Sequence, residues 1–380
     1  MRGDDGLRFS VGRNETCLNN ARWHPLSEGA KGRAEAYLAY KARGISRDND
    51  LIDRIQPGVK RDFARLINVN ANELAYVNST TAGETMLVSS LGILGSGKNI
   101  VTDALHFEGS LYMYGALRQQ GVDVRCVKPR ADWRIHLDDL ARVINNDTAL
   151  VAISQVSFVN GFQHDVKAVS DLAHAHGALV YVDAVQAAGA VPVDAHAFDA
   201  DAVGCASYKW LMGDFGLGFL YVHPRVIPKL HRVVWGYRQI DNFDYHAFTG
   251  DPPGTYPASW QQHQDASGFF EIGTYSNATL ALLSYSLPAI LDKGVSAIQK
   301  HAQSLIAIVQ HELPQLGYAR MTPMDSATPI ATFFAKDPDV TRRKLQAANV
   351  DVSIENARVR ISPSIYNTEA DVEKLIDALK

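Results

Sequence analysis

The sequence is short of sulfur and of long apolar runs, and each shortage removes a class of protein. Only three cysteines occur in 380 residues, Cys17, Cys126 and Cys205. They have no paired spacing, which excludes a disulfide framework and a CxxC metal site and suits a reducing compartment; no metal is expected. The longest apolar runs, such as Ala178 to Val182, are strand-sized and far too short to span a membrane. The opening stretch from Met1 to Cys17 has no apolar core of a secretory signal, so the expected location is cytoplasmic. Neither charge dominates: 37 Lys and Arg against 41 Asp and Glu give a net −4. Such a balance offers no electrostatic attraction for nucleic acid or an anionic membrane.

What the chain has is alternation. Short β-branched runs are separated by helical patterns. The strands are expected at Leu74–Asn78, Ile100–Asp103, Val122–Val127, Ala149–Ser154, Leu179–Asp183, Ala202–Ser207 and Gly218–Val222. Helices are expected between them at Gly83–Ile93, Gly109–Arg118, Leu137–Asn145 and Val166–His176. Apolar strands each followed by a helix imply an α/β fold, a mostly parallel sheet covered on both faces. The short connection between the last two strands makes that pair antiparallel. Beyond about residue 275 come longer helices (Thr279–Leu291, Val295–Leu316), short strands near Ile330–Phe334 and Val359–Ser362, and a closing helix at Thr368–Leu379. This pattern predicts residues 26–275 as a large domain and 276–380 as a smaller α+β domain. Gly250–Gln264, rich in Pro, Gly, Trp and Gln, reads as an ordered loop lining a site.

Ligands of such sheets sit at the carboxyl ends of the strands, and four strand ends carry unusual residues. Asp183 closes a run of five apolar residues; Asp at such a place is commonly a helix cap, but it also suits a protonated ring nitrogen. Lys209 follows an apolar strand and sits among Tyr208, Trp210 and Leu211. A lone lysine is usually at the surface, whereas desolvation here would lower its pKa and favour imine formation. Asn78-Ser-Thr-Thr-Ala-Gly opens a helix with hydroxyls, either as ordinary capping or as an anion site. Phe107 ends another strand, as core or as a ring to stack on a planar heterocycle.

The block Tyr181-Val-Asp-Ala-Val-Gln-Ala-Ala-Gly-Ala-Val-Pro-Val-Asp194, with Ser207-Tyr-Lys-Trp and Gly216-Leu-Gly-Phe-Leu-Tyr-Val222, resembles the central signature of the class V aminotransferase group of fold-type I pyridoxal 5′-phosphate (PLP) enzymes. That group includes cysteine desulfurases, selenocysteine lyases, kynureninase and isopenicillin N epimerase. The similarity runs from Leu18-Asn-Asn-Ala to Val359-Arg-Ile-Ser-Pro-Ser-Ile-Tyr-Asn-Thr368. It implies a seven-stranded mixed sheet, an N-terminal segment of residues 1–25 that joins the smaller domain and covers the site, PLP as cofactor and residue roles as follows. Lys209 matches the Schiff-base lysine, Asp183 the partner of the pyridine nitrogen, and Gln186 the neighbour of the phenolic oxygen. Thr80, Thr81, Ser207 and Tyr208 match phosphate-side positions, and Phe107 the stacking position. Gly273-Thr274 resembles the pair that reaches a neighbouring subunit's phosphate, which implies a homodimer with shared active sites. Arg360 matches the arginine that forks onto a substrate carboxylate; the alternative is a surface cation on an edge strand.

Two departures narrow the chemistry. Cysteine desulfurases carry a nucleophilic cysteine shortly before that arginine, and Asn349-Val-Asp-Val-Ser-Ile-Glu-Asn-Ala-Arg-Val-Arg360 has none. Phe158 stands where desulfurases tend to place an Asn on the phenolic oxygen; Asn160 is the candidate substitute. Asn19, Asn20, Arg22, Trp23 and His24 resemble the segment that covers the site. Asn20 and His24 are taken as substrate contacts, although a lone His is more often structural. Trp235–Arg238 and Trp260–His263 are candidates for shaping a substrate pocket. The expected activity is attack at Cα of a small amino acid or conjugate with a free carboxylate, first as β-elimination of a sulfur leaving group, with transamination close behind. Epimerisation, decarboxylation-linked chemistry and a non-catalytic PLP-binding regulator or retired paralogue are the alternatives.

Overall fold

Seven short apolar runs form one sheet in the computed structural model, which describes residues 7–11, 15–44 and 50–380. They are Leu74–Val77 (β1), Asn99–Asp103 (β2), Asp123–Val127 (β3), Thr148–Ser154 (β4), Leu179–Asp183 (β5), Ala202–Ala206 (β6) and Gly218–Val222 (β7). Their order is β1-β7-β6-β5-β4-β2-β3. Strands β2 to β6 pair in parallel, while β7 runs antiparallel to both β6 and β1. This is the mixed sheet expected from the sequence.

Alternate residues of the central strands feed two apolar clusters, because side chains of a strand point to opposite faces. Val151, Ile153, Val180, Val182 and Val203 enter one cluster. Leu150, Ala152, Tyr181 and Ala202 enter the other. Helices Val166–Ala175 and Asn277–Lys293 close the first face, and helices Thr80–Ser90 and Glu108–Gln119 close the second. Each fully buried Val or Leu here stabilises the fold by about 1.5–3 kcal/mol.

Helix Asn277–Lys293 buries Leu280, Leu283, Leu287 and Ile290 in the same cluster as the sheet. Ile298, Ile330 and Tyr366, beyond this helix, enter the same cluster. The remaining C-terminal part builds a four-stranded antiparallel sheet from Ala319–Arg320, Ala331–Phe334, Arg358–Ile361 and Ser353–Glu355. The N-terminal segment joins this part: Thr16–Cys17 pairs in parallel with Val350–Asp351. The closing helix, Glu369–Leu379, is capped as expected, with the Thr368 N–H donating to the Asp371 carboxylate at 2.9 Å.

One third of the stretch expected as a loop at Gly250–Gln264 is strand. Ala258–Gln262 pairs antiparallel with Ile240–Tyr245 in a hairpin. Its residues do not line the cavity described below. The sequence reading missed this hairpin because its period-two pattern is interrupted by a register shift between Ser259 and Gln261.

Candidate active site

The carboxyl ends of β4, β5 and β6 and the start of helix Thr80–Ser90 converge on one cavity. It is lined by Ser79, Thr80, Thr81, Phe107, Ser154, Val156, Phe158, Asp183, Val185, Gln186, Ala206, Tyr208 and Lys209. Lys209 is presented by a tight turn after β6, in which the Met212 N–H donates to the Lys209 carbonyl at 2.8 Å and the Gly213 N–H to that of Ser207 at 2.9 Å. That turn is braced from below by Gly189, whose φ is +90° and whose Cα lies so close to Trp210 that a Cβ would fall 2.5 Å from the Trp210 carbonyl oxygen. Only glycine fits there.

Lys209 is 7% exposed. Burial pulls its pKa from 10.5 down to about 8, against the opposing charge of Asp183 and with help from the Arg360 guanidinium. Asp183 is 6% exposed, and burial pushes its carboxyl up while His106 pulls it down. Its Oδ1 accepts from the Val185 N–H at 2.8 Å, which fixes the carboxylate at the strand end.

The arrangement fits PLP on observations that do not depend on the ligand. Thr80 Oγ1 is buried with no hydrogen-bond partner, and such an atom costs free energy unless something fills the site. It lies in the first turn of a helix, where free N–H groups and the helix dipole favour a phosphate. Gln186 has its carbonyl taken by the Trp210 indole N–H at 2.8 Å and one Nε2 hydrogen given to the Ala21 carbonyl at 2.9 Å. Its second Nε2 hydrogen remains for an acceptor in the cavity. Phe107 supplies a ring, and the Lys209 Nζ stands 6.0 Å from its centroid.

Other expected contacts fall elsewhere. The Ser207 hydroxyl is committed to the carbonyls of Asp214 (2.5 Å) and Leu217 (2.8 Å) and does not line the cavity. It builds the lysine turn and does not face the phosphate side. Tyr208 does line the cavity and stacks on Phe215 at 4.5 Å. Thr274 is exposed, at φ +39°, with its carbonyl held by the Asn78 amide at 3.1 Å, and does not reach the cavity of its own chain.

Asn20 and His24 do not reach it either. The Asn20 amide donates to the Ser362 carbonyl at 2.8 Å, and its oxygen accepts from the Tyr366 hydroxyl at 2.7 Å. It ties the N-terminal segment to the small sheet. His24 donates from Nδ1 to the Pro25 carbonyl at 2.8 Å, so its Nε2 accepts from the Ser364 hydroxyl at 2.7 Å. Burial lowers its pKa to about 4, so it is a neutral structural histidine. Asn160 is not the substitute for the missing Asn. It is buried, donating to the Trp133 carbonyl at 2.9 Å and accepting from the Phe162 N–H at 3.0 Å. Phe158 itself lines the cavity, edge-on to Phe107 at 5.7 Å.

Arg360 sits in the strand Arg358–Ile361, flanked by strands on both sides, so it is no edge residue. It is 8% exposed, and burial lowers its pKa. Its Nη1 donates to the Phe158 carbonyl at 2.9 Å, and its Nε is buried without a partner. No carboxylate pairs with it among the described residues, and a small recess is shared by Phe158, Val159, Ser353, Glu355, Arg358 and Arg360. A buried guanidinium with spare donors is suited to a carboxylate from outside.

None of the three thiols lines the cavity. Cys17 lies in the neighbouring cleft, which shares Tyr208 with it, and burial pushes its thiol up. Cys126 is exposed, on β3 at the edge of the sheet, and Cys205 is buried in β6. Where a thiol-bearing loop would precede Arg360, the chain makes a tight hairpin, Ser353–Glu355 to Arg358–Ile361, turning at Asn356 with φ +53°. Sequence reading missed Ser79, Ser154 and Val185 as lining residues, because hydroxyl and small apolar side chains at strand ends have no distinctive pattern.

The family model for class-V aminotransferases matches residues 31–375. The Bacillus subtilis protein described as uncharacterized aminotransferase YcbU is 24% identical over 367 residues, 96% of this chain and 92% of that protein. A probable cysteine desulfurase of Halobacterium salinarum is 28% identical over 63% of this chain and 55% of its own length. The fold matches the cysteine desulfurase CsdA of Escherichia coli with a TM-score of 0.85 at 18% identity, covering 98% of this chain and 96% of that one. It also matches the cystine C–S lyase C-DES, with a TM-score of 0.83 at 20% identity over 97% of both chains. With a match along nearly its whole length, the chain belongs to the class-V aminotransferase family and is a PLP-dependent enzyme.

Proposed function

We propose that this enzyme acts on an amino acid with a sulfur leaving group at Cβ and releases that sulfur by β-elimination, without a protein thiol. The supporting observation is the cavity's composition: Lys209 and Asp183 line it, Arg360 stands beside it behind Phe158, and no cysteine does. The likeness to C-DES, a cystine C–S lyase, agrees with this reading at the level of fold.

Arg360 holds the substrate carboxylate in a fork and so orients Cα. Thr80, with the first turn of its helix, would hold the phosphate of PLP, Asp183 would pair with its ring N–H, and Gln186 has a free amide hydrogen that would meet its phenolic oxygen. Bound PLP supplies a conjugated cation that accepts the electron pair released at Cα. Lys209, with a pKa of about 8, is poised to take the Cα proton near neutral pH. The Cβ–S bond then breaks with its electron pair on sulfur, which leaves as a thiol after gaining a proton. The three-carbon enamine reacts with water to give a 2-oxo acid and ammonia.

Transamination is the second reading, favoured by the length over which YcbU matches. Incubation with cysteine S-conjugates separates the two. Elimination gives thiol, 2-oxo acid and ammonia in equal amounts; transamination gives no ammonia and needs an amino acceptor. The absence of thiol release from every conjugate, with acceptor-dependent turnover, would sink the elimination reading.

We also propose a homodimer in which the turn at Gly273 and the exposed Thr274 reaches the partner's phosphate, and a large unit of residues 26–275 joined to a smaller one of residues 276–380. The lack of contact between Thr274 and its own cavity supports the first. Sedimentation of an active monomer would count against it. No described helix is long and apolar enough to cross a membrane.

A further inference from the structure

Behind the cavity lies a buried acid that the chemistry above does not use. Glu84 projects from helix Thr80–Ser90 and is 1% exposed. Its carboxylate accepts from the Ser110 hydroxyl at 2.5 Å, the Tyr114 hydroxyl at 2.7 Å and His106 Nε2 at 3.3 Å. His106 is buried too, and its other nitrogen, Nδ1, meets the Ser154 hydroxyl at 2.8 Å. Ser154 lines the cavity and is the register partner of Asp183 on the adjacent strand.

We propose that Glu84 holds His106 as a buried imidazolium, and that this cation keeps Asp183 ionised so that Asp183 can retain a proton on the cofactor's ring nitrogen. His106 is thus a positioning residue: it touches Ser154 and Glu84, and it acts on the ring through Asp183. Burial opposes the charged His106, and the acids Glu84, Asp183 and Asp103 favour it. Glu84 and Tyr114 face His106 from two helices. Asp103, in its own turn, gives one oxygen to the Leu105 N–H at 2.8 Å and the other to His164 at 3.1 Å. Asp183 approaches from β5, with Lys209 on its far side. Of the groups acting on Asp183, His106 is the strongest that favours the charged form. Without it, burial and the nearby Glu84 charge would both drive Asp183 toward the neutral acid, which cannot hold the ring proton. The inference applies to either reaction, since both need the ring cation.

The test uses holoenzyme loaded with PLP labelled with 15N at the ring nitrogen. In the wild type the 15N resonance sits at the pyridinium position at pH 7.5. Glu84→Gln keeps the shape and, at its one oxygen, the Tyr114 donor, with Ser110 turned to accept from the amide. It removes the charge that holds the imidazolium, and losing that cation, which acts on Asp183 more strongly than Glu84 does, moves the resonance toward free pyridine. His106→Asn does the same. Cofactor stoichiometry is measured alongside. A purely structural role lowers the melting temperature and leaves the 15N resonance where it was, and that result overturns the proposal. Should neither variant fold, a neutron structure of the wild type decides. Deuterium on both His106 nitrogens is the expected result, and deuterium on only one overturns the relay.

Discussion

Lys209 is a buried amine before it is a catalyst, and Lys209→Met in the cofactor-free protein measures what that burial costs. The fall of its pKa from 10.5 to about 8, at about 1.4 kcal/mol for each pKa unit, means that the ammonium form destabilises the fold by roughly 3 kcal/mol. Methionine has a similar volume and no charge, so it fills the same space without that penalty. The sign follows from proton counting. Between about pH 8 and 10.5 the unfolded chain holds the lysine proton and the folded chain does not, so wild-type stability rises with pH across that window. Below about pH 8 both states are protonated and the folded state carries the full cost. Urea unfolding of both apo-proteins from pH 6 to 10.5 is the assay. Lys209→Met is expected to be more stable at pH 6–7 by up to about 3 kcal/mol. The gap should narrow from pH 8 upward, because wild-type Lys209 is then neutral. A gap that does not change with pH would refute the argument, since greater apolar packing by Met would be pH-independent.

Three further outcomes follow from the site. Asp183→Asn should keep PLP bound and lose most turnover, because the neutral amide cannot hold the ring proton; equal kcat would mean that Asp183 only caps the strand end. Thr80→Val should raise the Kd for PLP by about tenfold, the worth of one hydrogen bond of about 1.5 kcal/mol to a charged group; unchanged affinity in equilibrium dialysis would remove Thr80 from the phosphate site. Arg360→Lys keeps the charge but loses the fork, so KM for the amino acid should rise while the rate on the decarboxylated amine stays the same; equal loss on both would contradict carboxylate binding.

Much of this was legible because it rests on local patterns. The strands of the large sheet are apolar on both faces, as parallel strands covered by helices must be, and Asp183 and Lys209 are polar interruptions at their carboxyl ends. Arg360 was recognisable by its setting in Val-Arg-Ile-Ser, although its place inside a sheet was not. Asn20, His24, Ser207 and Asn160 do not line the cavity, and what holds each of them could not be read from the sequence. Each has polar atoms that are used up by backbone or side-chain groups distant in sequence, such as Tyr366 for Asn20 and Ser364 for His24. The helix Glu28–Ala42 was not among the expected elements. In the fold, Gly29 lies against the Tyr285 ring, where a Cβ would fall 2.0 Å from a ring carbon. The Glu84–His106 pair was invisible for a similar reason: an acid in a helix of small residues becomes notable only when three donors are seen to surround it.

Reduction of the purified protein with borohydride, followed by peptide mass spectrometry, identifies the lysine that carries the cofactor, because reduction fixes the two together. One modified site is expected, on the peptide containing Lys209, with the mass of reduced pyridoxyl phosphate, and no labelling of Lys209→Met. Label on a different lysine, or none on protein that has been incubated with PLP, would contradict that expectation.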